Sequence, residues 1–334
     1  MKIGVLNFFP AFTPPRSGGE LRYWNLYSRL ARRHDVFLAG PTFPEEPYQE
    51  IRHAPRLMER RFPKTSRHVW WHRFFDRFGF RECSALVTLL VGEAHADLSV
   101  EARRLLRECD VFVHENCFLF DLAPRPAPGR LFVYNAYNVE GRLAAEMFPR
   151  HPVGRWAVHR VRDAERRCAR AADLLLVCSE EDAEEFARAY RVDPLKIHVA
   201  PNGVDTAALR PPSASRRAAA RRSLALPDGR PAAVFFGSFH PPNLEAAEWI
   251  AGSLAPALPG VDFLIAGKAC EALAARPAAA PPPPNLRLLG VVDDATRETL
   301  LHGADFALNP MFSGSGTNLK MLDYLAAGLP VLTT

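Results

Sequence analysis

The segment LNPMFSGSGTNLKMLDYLAAGLPVLTT, residues 308–334, gathers the groups best suited to chemistry. Ser313, Gly314, Ser315, Gly316 and Thr317 make a small-residue loop ahead of a helical run. The amides and hydroxyls of such a loop form a pocket suited to a phosphate or diphosphate. Lys320 follows one turn into the helix, and Asp323 lies three residues further on the same side. A carboxylate held there accepts both hydroxyls of a ribose, while the ammonium adds positive charge beside phosphate. The competing reading is a capped helix with an exposed i, i+3 ion pair, worth little energetically. The Gly-Ser-Gly run favours a ligand, because flexible backbone costs entropy unless something must approach it closely.

Two further glycine-bearing turns follow strand-like runs. In PPRSGGELRYW, Gly18 and Gly19 open a helix whose free N–H groups favour an anion, or else make a plain strand-to-helix turn. In FFGSFHPPNLEAAEW, Gly237 ends a strand, and His240 or Asn243 either reaches a ligand or caps the next helix. Neither GxGxxG nor GxxxxGK[ST] occurs, so the dinucleotide and P-loop fingerprints are both missing.

The elements that must position these loops are short apolar runs alternating with amphipathic helical stretches. IGVLNFF, DVFLAG, DVFVHE, LFVYNAY, LLLVCS, KIHVAPN, AAVFFGS, DFLIAG, LRLLG, DFALNP and PVLTT read as strands. Most are apolar throughout, as strands buried on both faces must be. The alternation predicts an α/β fold of doubly wound parallel sheets, in which ligands bind beyond the carboxyl ends of the strands. A Pro-, Ala-, Ser- and Arg-rich stretch divides the chain into a domain at 1–205, a linker region at 206–231 and a domain at 232–334. Pro277 to Pro284 reads as a surface loop. The basic, aromatic region from Glu45 to Gly79 is expected to be helical. Its Trp70, Trp71, Phe74, Phe75 and Phe78 are either core or, with Arg67, His68, Arg73 and Arg77, a face that docks on an anionic membrane. PVLTT reads as a buried strand with nothing after it to cover it, so the chain is expected to be truncated at its C-terminus.

Composition narrows the class. The 334 residues are 48% hydrophobic and 24% charged, too apolar for a disordered chain. The apolar runs are too short and too charged to span a bilayer. MKIGVLNFF reads as a first strand and not a signal peptide, which predicts a cytoplasmic protein. The six cysteines form no CxxC pair and have no His at metal-ligand spacing, so reduced core thiols are expected. A net charge of +5 reflects arginine-rich filler across the chain and identifies no nucleic-acid partner.

The ordered set GGELRYWNL, YNAYNVEGRL, LLLVCSEED, PNGVD, FFGSFHPPNLEAAEWI, FLIAGK, NLRLLGVVDD and SGSGTNLKMLDYLAAGLPV resembles the retaining glycosyltransferases of family 4 over essentially the whole chain. The resemblance implies a GT-B fold, two Rossmann-like domains facing a central cleft. It implies a nucleotide-sugar donor on the C-terminal domain and a glycan or lipid-linked acceptor on the N-terminal one. Donor contacts would fall to Gly18, Gly19, Gly237, Asn243, Ser315, Gly316, Thr317, Asn318 and Asp323, the last taking the ribose. The family's Glu-x7-Glu motif falls at Ser315 and Asp323, so serine replaces the first glutamate and aspartate the second. Catalytic roles would fall to Lys320 and to His114, or to Asn116 if the alignment shifts by two. Asn135, Tyr137 and Asn138 would face the acceptor, with Tyr137 where relatives tend to have His and Asn135 where many have Asp. HPPNLEAAEWI lacks the Arg/Lys pair often found there. Transfer by a front-face route would need no metal and no cofactor beyond the donor. The expected setting is the cytoplasm or the inner face of the cell membrane, in cell-surface polysaccharide synthesis. Other readings are a GT-B phosphorylase or epimerase, for which no pyridoxal-binding lysine stands out, and a degenerate member that binds a nucleotide sugar or a partner without turnover.

Overall fold

The computed structural model describes every residue except 16, 93–94, 125–127, 240, 276–281 and 313–317. The chain divides into two units, Met1–Pro201 and Asn202–Thr334. The first holds β1 (Lys2–Leu6), α1 (Gly18–Leu30), β2 (Asp35–Thr42), β3 (Gln49–Ala54), β4 (Leu57–Pro63), α2 (Ser66–Arg77), α3 (Ser84–Val91), α4 (Ala96–Glu108), β5 (Val111–His114), β6 (Leu131–Asn135), α5 (Glu140–Met147), α6 (Pro152–Ala171), β7 (Leu174–Val177), α7 (Glu180–Tyr190) and β8 (Ile197–Val199). Its eight strands lie in the order β3-β4-β2-β1-β5-β6-β7-β8. All neighbouring pairs are parallel except β3 with β4.

Alternate residues of each inner strand enter different cores, so helices cover both faces of the sheet. Val5, Val113 and Val133 pack with Tyr23 and Tyr27 of α1. Leu6, Phe112 and Phe132 pack with Leu105 of α4 and Phe186 of α7. The helical expectation for 45–79 holds only for its second half, because β3 and β4 form an antiparallel hairpin at the sheet edge. Charge hides this strand pair. Glu59 points inward, 1% exposed, where it accepts the Ala11 amide at 2.6 Å and pairs with His53 at 2.7 Å and Arg61 at 2.8 Å. A charged residue on the core face breaks the period-two pattern, and its burial is tolerable because the hairpin's own His53 and Arg61 and the distant Ala11 amide satisfy it.

The second unit holds α8 (Ala214–Ser223), β9 (Ala232–Phe236), α9 (Pro241–Trp249), α10 (Ala255–Ala257), β10 (Asp262–Ala266), α11 (Ala269–Ala274), β11 (Leu286–Leu288), α12 (Asp294–Gly303), β12 (Phe306–Asn309), α13 (Leu319–Ala326) and β13 (Val331–Thr333). Its parallel sheet runs β11-β10-β9-β12-β13. Ala232, Val234 and Leu264 face one core and Ala233, Phe235 and Ile265 the other. The stretch expected as a linker carries α8, which belongs to this unit. Arg217 and Arg221 reach Asp305 at 2.6 and 2.8 Å, and Ala220 and Leu224 are buried.

In each sheet the strand order reverses once, between β1 and β5 and between β9 and β12. The loops leaving adjacent strands part at such a point and open a crevice beyond their carboxyl ends. Both sets of candidate residues lie there.

Candidate functional site

In the second unit, Lys320 sits in the first turn of α13 with its side chain across the ends of β9 and β12. Its ammonium donates to Asn243 Oδ1 at 2.5 Å and to the Phe236 carbonyl at 3.2 Å. It also approaches Met311 Sδ at 3.7 Å and lies 4.3 Å from the centre of the Phe235 ring. All these partners are neutral, and no carboxylate pairs with Lys320 among the described residues. Burial therefore lowers its pKa from 10.5 to about 8. Among the described residues, then, this ammonium has no counter-charge, and it stands at a strand-order reversal, where ligands of such sheets bind.

Asp323 and Lys320 do not pair with each other, which disposes of the exposed i, i+3 ion pair. The Asp323 carboxylate is held instead by Arg297 of α12, whose guanidinium lies 5.9 Å over the Phe236 ring. Burial raises the Asp323 pKa, and the Arg297 charge opposes that rise. Tyr324, fully buried, accepts the Phe236 amide on its hydroxyl at 2.9 Å and ties α13 to β9. Asn243 is fixed in turn by donating to Ser238 Oγ at 2.9 Å. Gly237 is dictated by packing, since a Cβ there would meet the Ala269 Cβ at 2.7 Å and the Phe235 ring at 2.9 Å. Asn318 caps α13 through its carbonyl, which accepts the Met321 amide at 2.9 Å. His240, Ser313, Gly314, Ser315, Gly316 and Thr317 lie outside the described residues.

In the first unit, Gly18 and Gly19 open α1, capped by Ser17. The Gly19 position is 3.6 Å from the Tyr137 ring, measured to where a Cβ would stand. Behind Tyr137 is Glu115, fully buried just past β5. The Tyr27 and Tyr137 hydroxyls donate to its two oxygens, and the Asn135 amide adds a third bond at 2.9 Å. Arg22 of α1 donates to Asn135 Oδ1 at 3.2 Å and to the Ala200 carbonyl at 2.9 Å. Burial raises the Glu115 pKa, while the Asn135, Tyr137 and Tyr27 bonds and the Arg22 charge pull it down. The α1 glycines, Asn135 and Tyr137 thus meet in one cluster. Asn138 lies beside it and bonds the Glu140 carboxyl.

His114 is placed elsewhere. It is enclosed among Phe112, Phe120 and Phe132, with Nε2 at 3.2 Å from the Ala123 carbonyl. Burial lowers its pKa to about 4, so the ring is neutral at physiological pH. Asn116 is also buried, donating to Asn7 Oδ1 at 2.8 Å and accepting the Phe118 amide at 3.2 Å. Strand alternation explains the division. His114 shares a face with Phe112, and Glu115 shares one with Val113 under α1. Arg22, Tyr27, Glu115 and Arg297 escape sequence reasoning, because each acquires its role from a partner at least 26 residues away. The signal that could have found Glu115 is the period of β5, which sets it on the face opposite His114.

This arrangement, two doubly wound units with an anion-ready crevice in the second, defines a class that comparison with known proteins identifies. The profile of Glycosyltransferase Family 4 matches residues 16–208, and that of Glycosyl transferases group 1 matches residues 230–334. The chain belongs to glycosyltransferase family 4.

Among curated relatives, it is 38% identical over 76 residues to a D-inositol 3-phosphate glycosyltransferase of Xylanimonas cellulosilytica, covering 22% of this chain and 18% of that one. It is 32% identical over 184 residues to the protein of that name from Mycolicibacterium vanbaalenii, covering 50% of this chain and 39% of that one. The matches thus span less than half the length of these relatives. Among solved structures, Anabaena HepE in complex with UDP and glucose superposes with a TM-score of 0.63 at 15% identity, covering 99% of this chain and 80% of that one. WaaG, a glycosyltransferase involved in lipopolysaccharide biosynthesis, gives 0.63 at 17% identity with the same coverage. These likenesses show the fold, which is GT-B.

Proposed function

We propose that the protein is a retaining glycosyltransferase that moves a sugar from a nucleotide-sugar donor to a hydroxyl of a glycan or lipid-linked acceptor. The observation that carries this reading is the Lys320 ammonium, buried against neutral partners at the β9/β12 reversal with no carboxylate partner among the described residues. HepE, bound to UDP and glucose, supports a uridine diphosphate sugar as the first donor to test. In this reading Lys320 and the residues 313–317 hold the diphosphate, and Asp323, oriented by Arg297, takes the ribose. Gly18 and Gly19 serve the donor diphosphate, and Asn135, Tyr137 and Asn138 belong to the acceptor side.

The bond from the anomeric carbon to the diphosphate oxygen breaks, and the acceptor oxygen bonds to the same face of that carbon. The acceptor proton leaves with the departing phosphate. Lysine and helix-terminal amides stabilise the developing diphosphate charge, so the step needs neither a metal nor a further cofactor. The reaction is assigned to the cytoplasmic side of the membrane, in the assembly of cell-surface glycans. Among the described residues no helix is long and apolar enough to cross a membrane.

Thermal-shift measurements against UDP-, GDP- and dTDP-sugars, followed by NMR of the product anomer, test the reading. Stabilisation by one nucleotide with transfer and an unchanged anomeric configuration is expected. Binding without transfer would instead leave a nucleotide-sugar-binding protein, and no stabilisation by any nucleotide would overturn the reading.

A further inference from the structure

The structure divides the aromatic segment of α2 between two roles. Phe75 is fully buried and His68 is 1% exposed, so both belong to the interior. Trp70 and Phe78 are 60% and 40% exposed, and Trp156 of α6 is 42% exposed beside them. Ring contacts connect these exposed positions, Trp156 through the buried Phe75. Trp70 stacks on Phe74 at 5.8 Å, Phe74 meets Phe78 at 4.8 Å, and Trp156 stacks over Phe75 at 6.5 Å. His151, at the start of α6, joins the two helices by its bond to the Phe78 carbonyl at 2.8 Å. A monomeric soluble surface rarely groups exposed tryptophans in this way.

The charges around the rings are equally one-sided. Arg67, Arg73, Arg77, Arg81, Arg150 and Arg155 are exposed, against the carboxylates Asp76 and Glu82 in the segments 66–82 and 147–156. None of these six pairs with a carboxylate among the described residues, whereas Arg60, Arg104, Arg142 and Arg167 all do. Glu82 accepts the Ser84 amide at 2.9 Å at the start of α3. A second copy of the same face would oppose arginine to arginine. A bilayer rich in acidic headgroups complements it, with phosphates for the guanidinium groups and an interfacial layer where indole rings are stable.

We propose that the face formed by Trp70, Phe74, Phe78 and Trp156, with its surrounding exposed arginines, docks the protein on an anionic phospholipid surface. The rings enter the headgroup layer and the arginines contact phosphate. This contact is independent of the donor site and of the transferase reading.

Co-sedimentation with phosphatidylcholine vesicles, with and without phosphatidylglycerol, tests it. The wild type is expected to bind only vesicles containing phosphatidylglycerol, to release at high salt, and to show blue-shifted tryptophan emission when bound. Two variant pairs at exposed positions, Trp70→Ser with Trp156→Ser and Arg73→Glu with Arg77→Glu, are each expected to weaken binding about tenfold or more. The nucleotide-induced thermal shift should remain unchanged in both pairs, and the melting temperature unchanged in the arginine pair. Absence of binding to acidic vesicles, equal binding to neutral ones, or retention of affinity in both pairs would overturn the proposal. So would a concentration-dependent dimer abolished by the tryptophan pair.

Discussion

Replacing Lys320 by methionine separates the cost of burying its charge from the service that the charge performs. Burial lowers the lysine pKa from 10.5 to about 8, a displacement equivalent to about 3 kcal/mol of penalty on the charged form at neutral pH. Methionine fills similar volume and carries no such penalty. It forfeits the bonds to Asn243 Oδ1 and the Phe236 carbonyl, worth about 1 kcal/mol each. The ligand-free variant should therefore be at least as stable as the wild type, by roughly 1 kcal/mol or about 2–4 °C in Tm. Donor binding should move the other way. A charge-assisted contact to diphosphate is worth about 1.5–3 kcal/mol, so affinity should fall about tenfold to a hundredfold. Calorimetric melting with and without UDP, together with equilibrium titration of UDP, measures both quantities. A variant that melts several degrees lower while binding UDP as tightly as the wild type would refute the reasoning, for Lys320 would then be a structural cation.

The same ammonium predicts a pH dependence. UDP affinity should decline as pH rises through about 8, where free Lys320 loses its proton, and Lys320→Arg should flatten that decline because guanidinium stays charged. Isothermal titration across the range checks both. Glu115→Gln puts an N–H group where one of the Tyr27, Tyr137 and Asn135 donors now points, and should cost about 1–3 kcal/mol by urea denaturation. An unchanged midpoint would show that the cluster contributes nothing to stability. His114, with a folded pKa of about 4 against 6.5, binds fewer protons folded than unfolded between those values. Its contribution is therefore lost as pH falls from about 6.5 towards 4. His114→Leu should flatten the acid limb of the stability curve over that window, and an unaltered limb would count against a neutral buried ring.

The α/β alternation was legible because strands covered on both faces must be apolar along their length, and helices between them must keep one apolar stripe. Local pattern also located the turns at Gly18 and Gly237 and the start of the helix that carries Lys320, since a chain passing from strand to helix needs particular backbone freedom and caps whatever surrounds it. The hairpin at 49–63 was not legible, because Glu59 occupies a core position that only Ala11, His53 and Arg61 satisfy. Sequence likewise put Lys320 and Asp323 on one side of a helix. Tertiary structure decided that the first points at Asn243, with no counter-charge among the described residues, and the second at Arg297, and that Glu115 meets Tyr27 and Tyr137 while its neighbour His114 is enclosed. The division has one physical reason. Propensity, period and capping act within a few residues and are written in local sequence, whereas the pairing and burial of charge depend on groups that only chain folding brings together.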